Sequence, residues 1–175
     1  MKPQSGPVIR RAVTADSGLL SEIGARTFCE TFAADNTPED MAAYVASSFN
    51  STQIATELSD PRSTFLIAEI DTIAVGYSKL HVGKAADGIT GEKPIELVRL
   101  YVSKGWLGRG IGTALMLACM EEARRQGYGT LWLGVWEHNG RARAFYRKWE
   151  FHEVGQRVFQ LGADPQTDLL MERSV

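Results

Sequence analysis

Apolar positions change their spacing along this chain, and each change marks an element. Val8 to Val13 is a short run rich in β-branched residues and reads as a strand. Thr14, placed to cap, leads into Leu19, Leu20, Ile23, Ala25, Phe28 and Phe32 at near-helical spacing, so a helix follows. Thr37-Pro38-Glu39-Asp40 opens a second helix: Thr suits the N-cap, Pro the first turn and acids the positive end of the dipole. Its apolar face is Met41, Tyr44, Val45 and Phe49. Ser51 is placed to cap a third, carrying Ile54 and Leu58, which Asp60-Pro61 stops.

The period then becomes extended. Thr64 to Ile70 and Thr72 to Val82 predict two strands joined by a turn near Asp71, hence an antiparallel pair. Lys84 to Pro94 reads as a surface loop. In the next strand Ile95, Leu97, Arg99 and Tyr101 alternate with Glu96, Val98, Leu100 and Val102. A helix with a stripe of Ile111, Ala114, Leu115, Ala118 and Cys119 follows and closes at Gly127-Tyr128-Gly129. Thr130 to Val135 is a strand and Gly140 to Lys148 a short basic helix. Phe151 to Phe159 and Asp168 to Arg173 form a closing hairpin over a loop from Leu161 to Thr167. With no repeat, tract or linker, the order describes one domain over residues 1–175, a mixed sheet with helices on its faces.

At 175 residues the chain can enclose a core without disulfides or a structural metal. A formal net charge of −2 gives no footprint for nucleic acid and no general repulsion of a cationic substrate. Cys29 and Cys119 both read as small buried hydrophobes in a reducing compartment. With no signal-like segment and no run of eighteen apolar residues, a cytoplasmic protein without membrane partners is expected. The three histidines lack metal spacing, so no metal is expected.

The stretch from Glu96 to Gln126 carries the candidate chemistry. Gly108-Arg109-Gly110-Ile111-Gly112-Thr113 sets glycines at every second position just before a helix, where backbone amides can converge on phosphate. It lacks the Gly-Lys-Ser/Thr ending of a P-loop, and it is G-x-G-x-G rather than the G-x-G-x-x-G of a dinucleotide fold. A glycine-rich turn without ligand stays open. Glu96 has two readings: a carboxylate paired with Arg99 or a neighbour at the strand edge, or a base in a cleft.

A second constellation follows in Asn139, Phe145, Tyr146 and Phe151. Together with the loop over Leu107, Gly108, Arg109, Gly110, Ile111 and Gly112, it resembles the GNAT superfamily of acyl-CoA-dependent N-acetyltransferases. Two positions depart from that pattern: Leu107, where Gln or Arg usually begins the loop, and Glu150, where Gly usually ends the short helix. A strained or reshaped helix end is expected at Glu150.

The resemblance implies an α/β domain of α+β type, with a mixed, mostly antiparallel sheet of about seven strands flanked by helices. It implies acetyl-CoA as cosubstrate, held by Leu107 to Thr113, by the backbone of Leu100, Tyr101 and Val102, and by Asn139. Tyr146 then protonates the departing sulfur and Glu96 is the candidate base. Asn139 as a helix cap and Tyr146 as a core aromatic are the plain alternatives. The competing functions are a non-catalytic acyl-CoA-binding regulatory module, or an enzyme of the same family acting on another small amine or a protein amine. Dimers are common among similar enzymes, which makes a homodimer an expectation. A narrower likeness, in Thr27 to Phe32, Asn36 to Asp40, Ile95 to Leu97 and Phe159 to Met171, is to bacterial Pai-type polyamine acetyltransferases. It implies spermidine or spermine as the amine, with Glu30 as the best-placed substrate carboxylate.

Overall fold

The computed structural model describes residues 6–175. Seven strands form one sheet: β1 (Val8–Arg11), β2 (Ser63–Ile70), β3 (Ile73–His81), β4 (Pro94–Val102), β5 (Thr130–Trp136), β6 (His152–Leu161) and β7 (Asp164–Ser174). Their order is β1-β2-β3-β4-β5-β7-β6. Every neighbouring pair is antiparallel except β4 with β5. A parallel pair needs a crossover, and α4 (Ile111–Arg125) supplies it. The other helices are α1 (Ser17–Phe32), α2 (Pro38–Ser48), α3 (Ser51–Ser59) and α5 (Gly140–Lys148).

Both faces of the sheet are covered, which explains the unbroken apolar run of β2. Leu66, Ala68 and Ile70 join Ile95, Leu97, Leu115, Met116, Cys119, Leu131 and Leu133 in the core under α4 and α5. Phe65 and Ile67 point the other way, into a core with Leu20, Ile23, Phe28, Ile54 and Tyr77 under α1 to α3.

The strict alternation read for β4 does not hold. Lys79 pairs with Arg99 but Leu80 with Leu97, so Val98 is an extra residue, a β-bulge. The bulge changes parity. Ile95, Leu97, Leu100 and Val102 pack toward α4, while Tyr101 packs in the core under α1 to α3 and Arg99 lies over Phe49 there. Glu96 therefore shares a face with Arg99 and Tyr101.

Other expectations shift by less. A short 3-10 turn (Thr14–Asp16) precedes α1, and Asp16 accepts the Val13 amide at 2.8 Å, so Thr14 is not its cap. Thr37 caps α2 as read, accepting from the Asp40 amide, but Asn50 rather than Ser51 caps α3, through the Gln53 amide. Cys29 is exposed, because the neighbouring Phe28 takes the inward position on α1, whereas Cys119 is buried. The loop expected at Leu161 to Thr167 is a tight turn at Gly162 and Ala163. Pro165 is tolerated in β7 because β5 has already ended; its last pair is Trp136 with Asp168. Asp40 fixes the turn by accepting the Ala163 amide at 2.8 Å.

The end of α5 shows the strain expected at Glu150. Glu150 takes φ 64°, Phe151 N–H returns to the Tyr146 carbonyl at 3.1 Å and Glu150 N–H to that of Arg147 at 2.9 Å. This is a Schellman ending with a non-glycine residue in the left-handed position. Glu150→Gly should raise stability by about 1 kcal/mol, read as a higher midpoint in denaturant at unchanged slope; no gain would mean the turn carries no strain.

Candidate active site

β4 and β5 pair only from Pro94 to Glu96 with Thr130 to Trp132. Beyond that the strands separate. Among the described residues no strand pairs with the β5-facing edge of Leu97 to Val102, so its N–H and C=O groups are available to an extended ligand. A cleft of about 960 Å³ runs through this opening, lined on one side by the N-terminus of α4 and the length of α5 and on the other by α1, α2, β6 and β7.

At one mouth stands the N-terminus of α4. Gly108 and Gly110 have φ of 74° and 81°, which lets the loop turn sharply and brings Gly110, Gly112 and Thr113 to the cleft wall. Gly110 is the N-cap and no side chain among the described residues caps the helix. The first amides of α4 therefore lack partners within the helix and carry the positive end of its dipole. Lys104, Arg141 and Lys148 add charge to the same lining. This chemistry fits the pyrophosphate of a coenzyme A arm. Leu100, Tyr101, Val102 and Leu107 line the cleft as well. Ile111 is core instead, 1% exposed, and the Arg109 guanidinium lies 5.0 Å over the Trp106 ring.

Across the opening α5 presents Asn139 and Tyr146. Asn139 Oδ1 caps α5 by accepting the Ala142 amide at 3.1 Å, the plain reading of this residue, which also lines the cleft. Tyr146 is buried, and burial raises its phenol above the ordinary value, so it stays protonated throughout the neutral range.

The other mouth is where the sequence reading was least complete. Glu96 does not line the cleft. Its Oε1 lies 3.0 Å from Arg157 Nη1, and Arg157 Nε lies 3.8 Å from Asp168 Oδ2. The partner of Glu96 is thus Arg157, not Arg99. Arg157 stacks 5.5 Å over Trp132. Asp168, 5% exposed, faces the cleft. Burial pushes its carboxyl up to about 6 against the Arg157 charge, and Glu96 adds to the rise. The pair lies directly over β5 at Gly134, where an added Cβ would come within 2.8 Å of Arg157 Nη2 and 2.9 Å of Asp168 Oδ2. A glycine inside the apolar strand Thr130 to Val135 was the available signal for this close approach. Nothing local in the sequence marked Arg157 or Asp168.

Glu30 lines the cleft, with its carboxylate accepting the Lys104 amide at 2.9 Å. Arg99, Tyr44, Phe49, Phe159 and Gln166 also line the cleft. His138 is two-thirds exposed on its loop, and His152 is similar. Among the described residues no group of His, Cys, Asp and Glu is arranged to hold a metal, and no helix is long and apolar enough to cross a membrane.

Residues 25–151 match the family model of the Acetyltransferase (GNAT) family. The chain is 36% identical over 153 residues to an uncharacterised N-acetyltransferase from the pepI 3′ region of Lactobacillus delbrueckii subsp. lactis, covering 87% of this chain and 88% of the relative. It is 36% identical over 160 residues to an uncharacterised N-acetyltransferase of Mycobacterium tuberculosis, covering 91% and 98%. Among solved structures, the PaiA N-acetyltransferase of Thermoplasma acidophilum in complex with coenzyme A superimposes with TM-score 0.77 at 21% identity, over 98% of this chain and 100% of that one; at such identity the likeness speaks for the fold. With the family model spanning most of the chain and relatives matching nearly its whole length, this protein is an N-acetyltransferase of the GNAT family.

Proposed function

We propose that the protein moves an acetyl group from acetyl-CoA to the primary amine of a small acceptor by direct attack. The observation that carries the reading is the opening between β4 and β5, with an uncapped helix N-terminus at one mouth and a buried, high-pKa carboxylate at the other. The α4 amides with Lys104, Arg141 and Lys148 would hold the pyrophosphate, and the free edge of Leu100 to Val102 the extended arm. Acetyl-CoA supplies the thioester whose carbonyl the amine attacks.

A primary amine near pKa 10.4 arrives protonated at neutral pH and must lose that proton before it attacks. Asp168 takes it: the group faces the cleft, and a carboxyl near 6 is ionised at pH 7 yet more basic than an ordinary aspartate. Glu96, the base suggested by sequence, acts here through Arg157, sharing its charge with Asp168. The amine nitrogen bonds to the carbonyl carbon and the carbon–sulfur bond then breaks; Tyr146 gives its proton to the departing sulfur, and the second proton that the nitrogen sheds on becoming an amide restores the phenol.

Two acceptor classes fall within this reading. A polyamine such as spermidine or spermine is suggested by the Pai-type likeness, with Glu30 at the rim as the carboxylate for a distal ammonium. The distribution of buried charge favours a different class, developed below.

Thiol release from acetyl-CoA with a panel of polyamines, amino acids and aminoglycosides tests the activity. Turnover on at least one amine is expected; silence on all of them, with coenzyme A still raising heat stability, would leave the non-catalytic acyl-CoA-binding module as the function. Tyr146→Phe should cut kcat by about 10²-fold or more while coenzyme A binding is kept, and full turnover would remove Tyr146 from the proton path.

The pH profile separates the two carboxylates. Glu96 raises the Asp168 pKa, so Glu96→Gln should lower it and move the acid limb of kcat/KM below about 6 with the limb still present. Asp168→Asn should abolish that limb. The reverse pattern would return the base to Glu96.

A further inference from the structure

The sheet face under α1 to α3 carries two charged groups of opposite imbalance. On the β4 side Arg99 donates to Glu57 from both terminal nitrogens, at 2.7 and 3.2 Å, and Lys79 Nζ lies 3.0 Å from the same carboxylate. Among the described residues, two cations thus share one anion. All three side chains are nearly buried, at 10 to 13% exposure, and Arg99 lies 4.9 Å over Phe49 and lines the cleft. On the β7 side the ratio is inverted: Glu96 and Asp168 share Arg157, and Asp168 lines the same cleft.

Tyr44 links the two. It also lines the cleft, and its hydroxyl feels both the Arg99 and the Asp168 charge. Each group shows the cost of its unmatched charge. Burial and then Arg99 push the Lys79 ammonium below its ordinary value against the pull of Glu57 and, from the other group, Glu96, while burial with Glu96 pushes the Asp168 carboxyl up against Arg157. A buried charge is costly unless it is paired. The ligand that completes both groups carries both signs.

Resting on the acetyl-transfer reading, we propose that the acceptor is a primary amine that also bears a carboxylate, its ammonium held at Asp168 and its carboxylate at Arg99. A polyamine would bring only positive charge to a wall where Arg99 and Lys79 already exceed Glu57, and would be disfavoured there. Glu30, its proposed anchor, is already engaged by the Lys104 amide.

The test uses the wild-type protein with acetyl-CoA and matched acceptor series: ω-amino carboxylates from glycine to 6-aminohexanoate, their carboxamides, the n-alkylamines of equal length, and spermidine. One chain length among the amino carboxylates is expected to exceed its carboxamide and alkylamine in kcat/KM by about tenfold or more, the worth of one charge-assisted contact. In Arg99→Met that ratio should collapse toward one. Equal rates across the three series, or spermidine above all of them, would overturn the proposal and leave acetyl transfer standing. Calorimetric binding of the amino carboxylate and the alkylamine, each with coenzyme A present, decides the matter without turnover or a variant. Tighter binding of the amino carboxylate with no thiol release would uphold this acceptor class and overturn acetyl transfer, whereas equal binding would overturn the acceptor class.

Discussion

The separation of β4 from β5 after Glu96 and Trp132 is the constraint on which the rest of the molecule depends. Two parallel strands that stay paired would close the sheet and bury every main-chain group. Parting them leaves one edge of β4 without a strand partner in the middle of the protein, which is tolerable only where solvent or a ligand satisfies it. The same parting makes a passage from one face of the sheet to the other. The cleft is therefore lined by α4 and α5 on one side and by α1, α2 and the β6/β7 hairpin on the other.

Small backbone features then aim the charges. The bulge at Val98 puts Glu96, Arg99 and Tyr101 on one face, and Gly134 leaves room for Arg157 and Asp168 to lie directly over β5. Arg157 cannot fully neutralise two buried carboxylates at once. Its closer contact is with Glu96, at 3.0 Å against 3.8 Å for Asp168, and Asp168 keeps the raised pKa. On the opposite wall Glu57 stands between Arg99 and Lys79 in the inverse arrangement. Glu57, Glu96 and Asp168 together balance Lys79, Arg99 and Arg157, but their contacts divide them unevenly between the two walls.

Much of the fold was legible because local signals agreed with it. The Thr37-Pro38-Glu39-Asp40 cap, the apolar stripe of α4 and the β2/β3 hairpin are set by residues adjacent in sequence, and all stand where the pattern put them. The glycine loop and Asn139 with Tyr146 were readable for the same reason, since a helix start and a short helix are local objects. Misplaced details were cases where two local solutions compete, such as Asn50 against Ser51 at a cap. Others were cases where a distant element decides: Phe28 rather than Cys29 faces the core because the sheet lies on that side.

The sequence by itself determined the elements, their order, the glycine turn before α4 and the family resemblance, because period, caps and glycine spacing act over a few residues. Only the tertiary structure decided the charged groups at the β6/β7 side of the cleft and on the wall under α1 to α3. Glu57, Lys79, Arg99, Arg157 and Asp168 come from different elements, and their pairing depends on a one-residue bulge that reverses strand parity. No periodicity records that shift, since it is fixed by how β4 meets β3 and how β7 enters between β5 and β6.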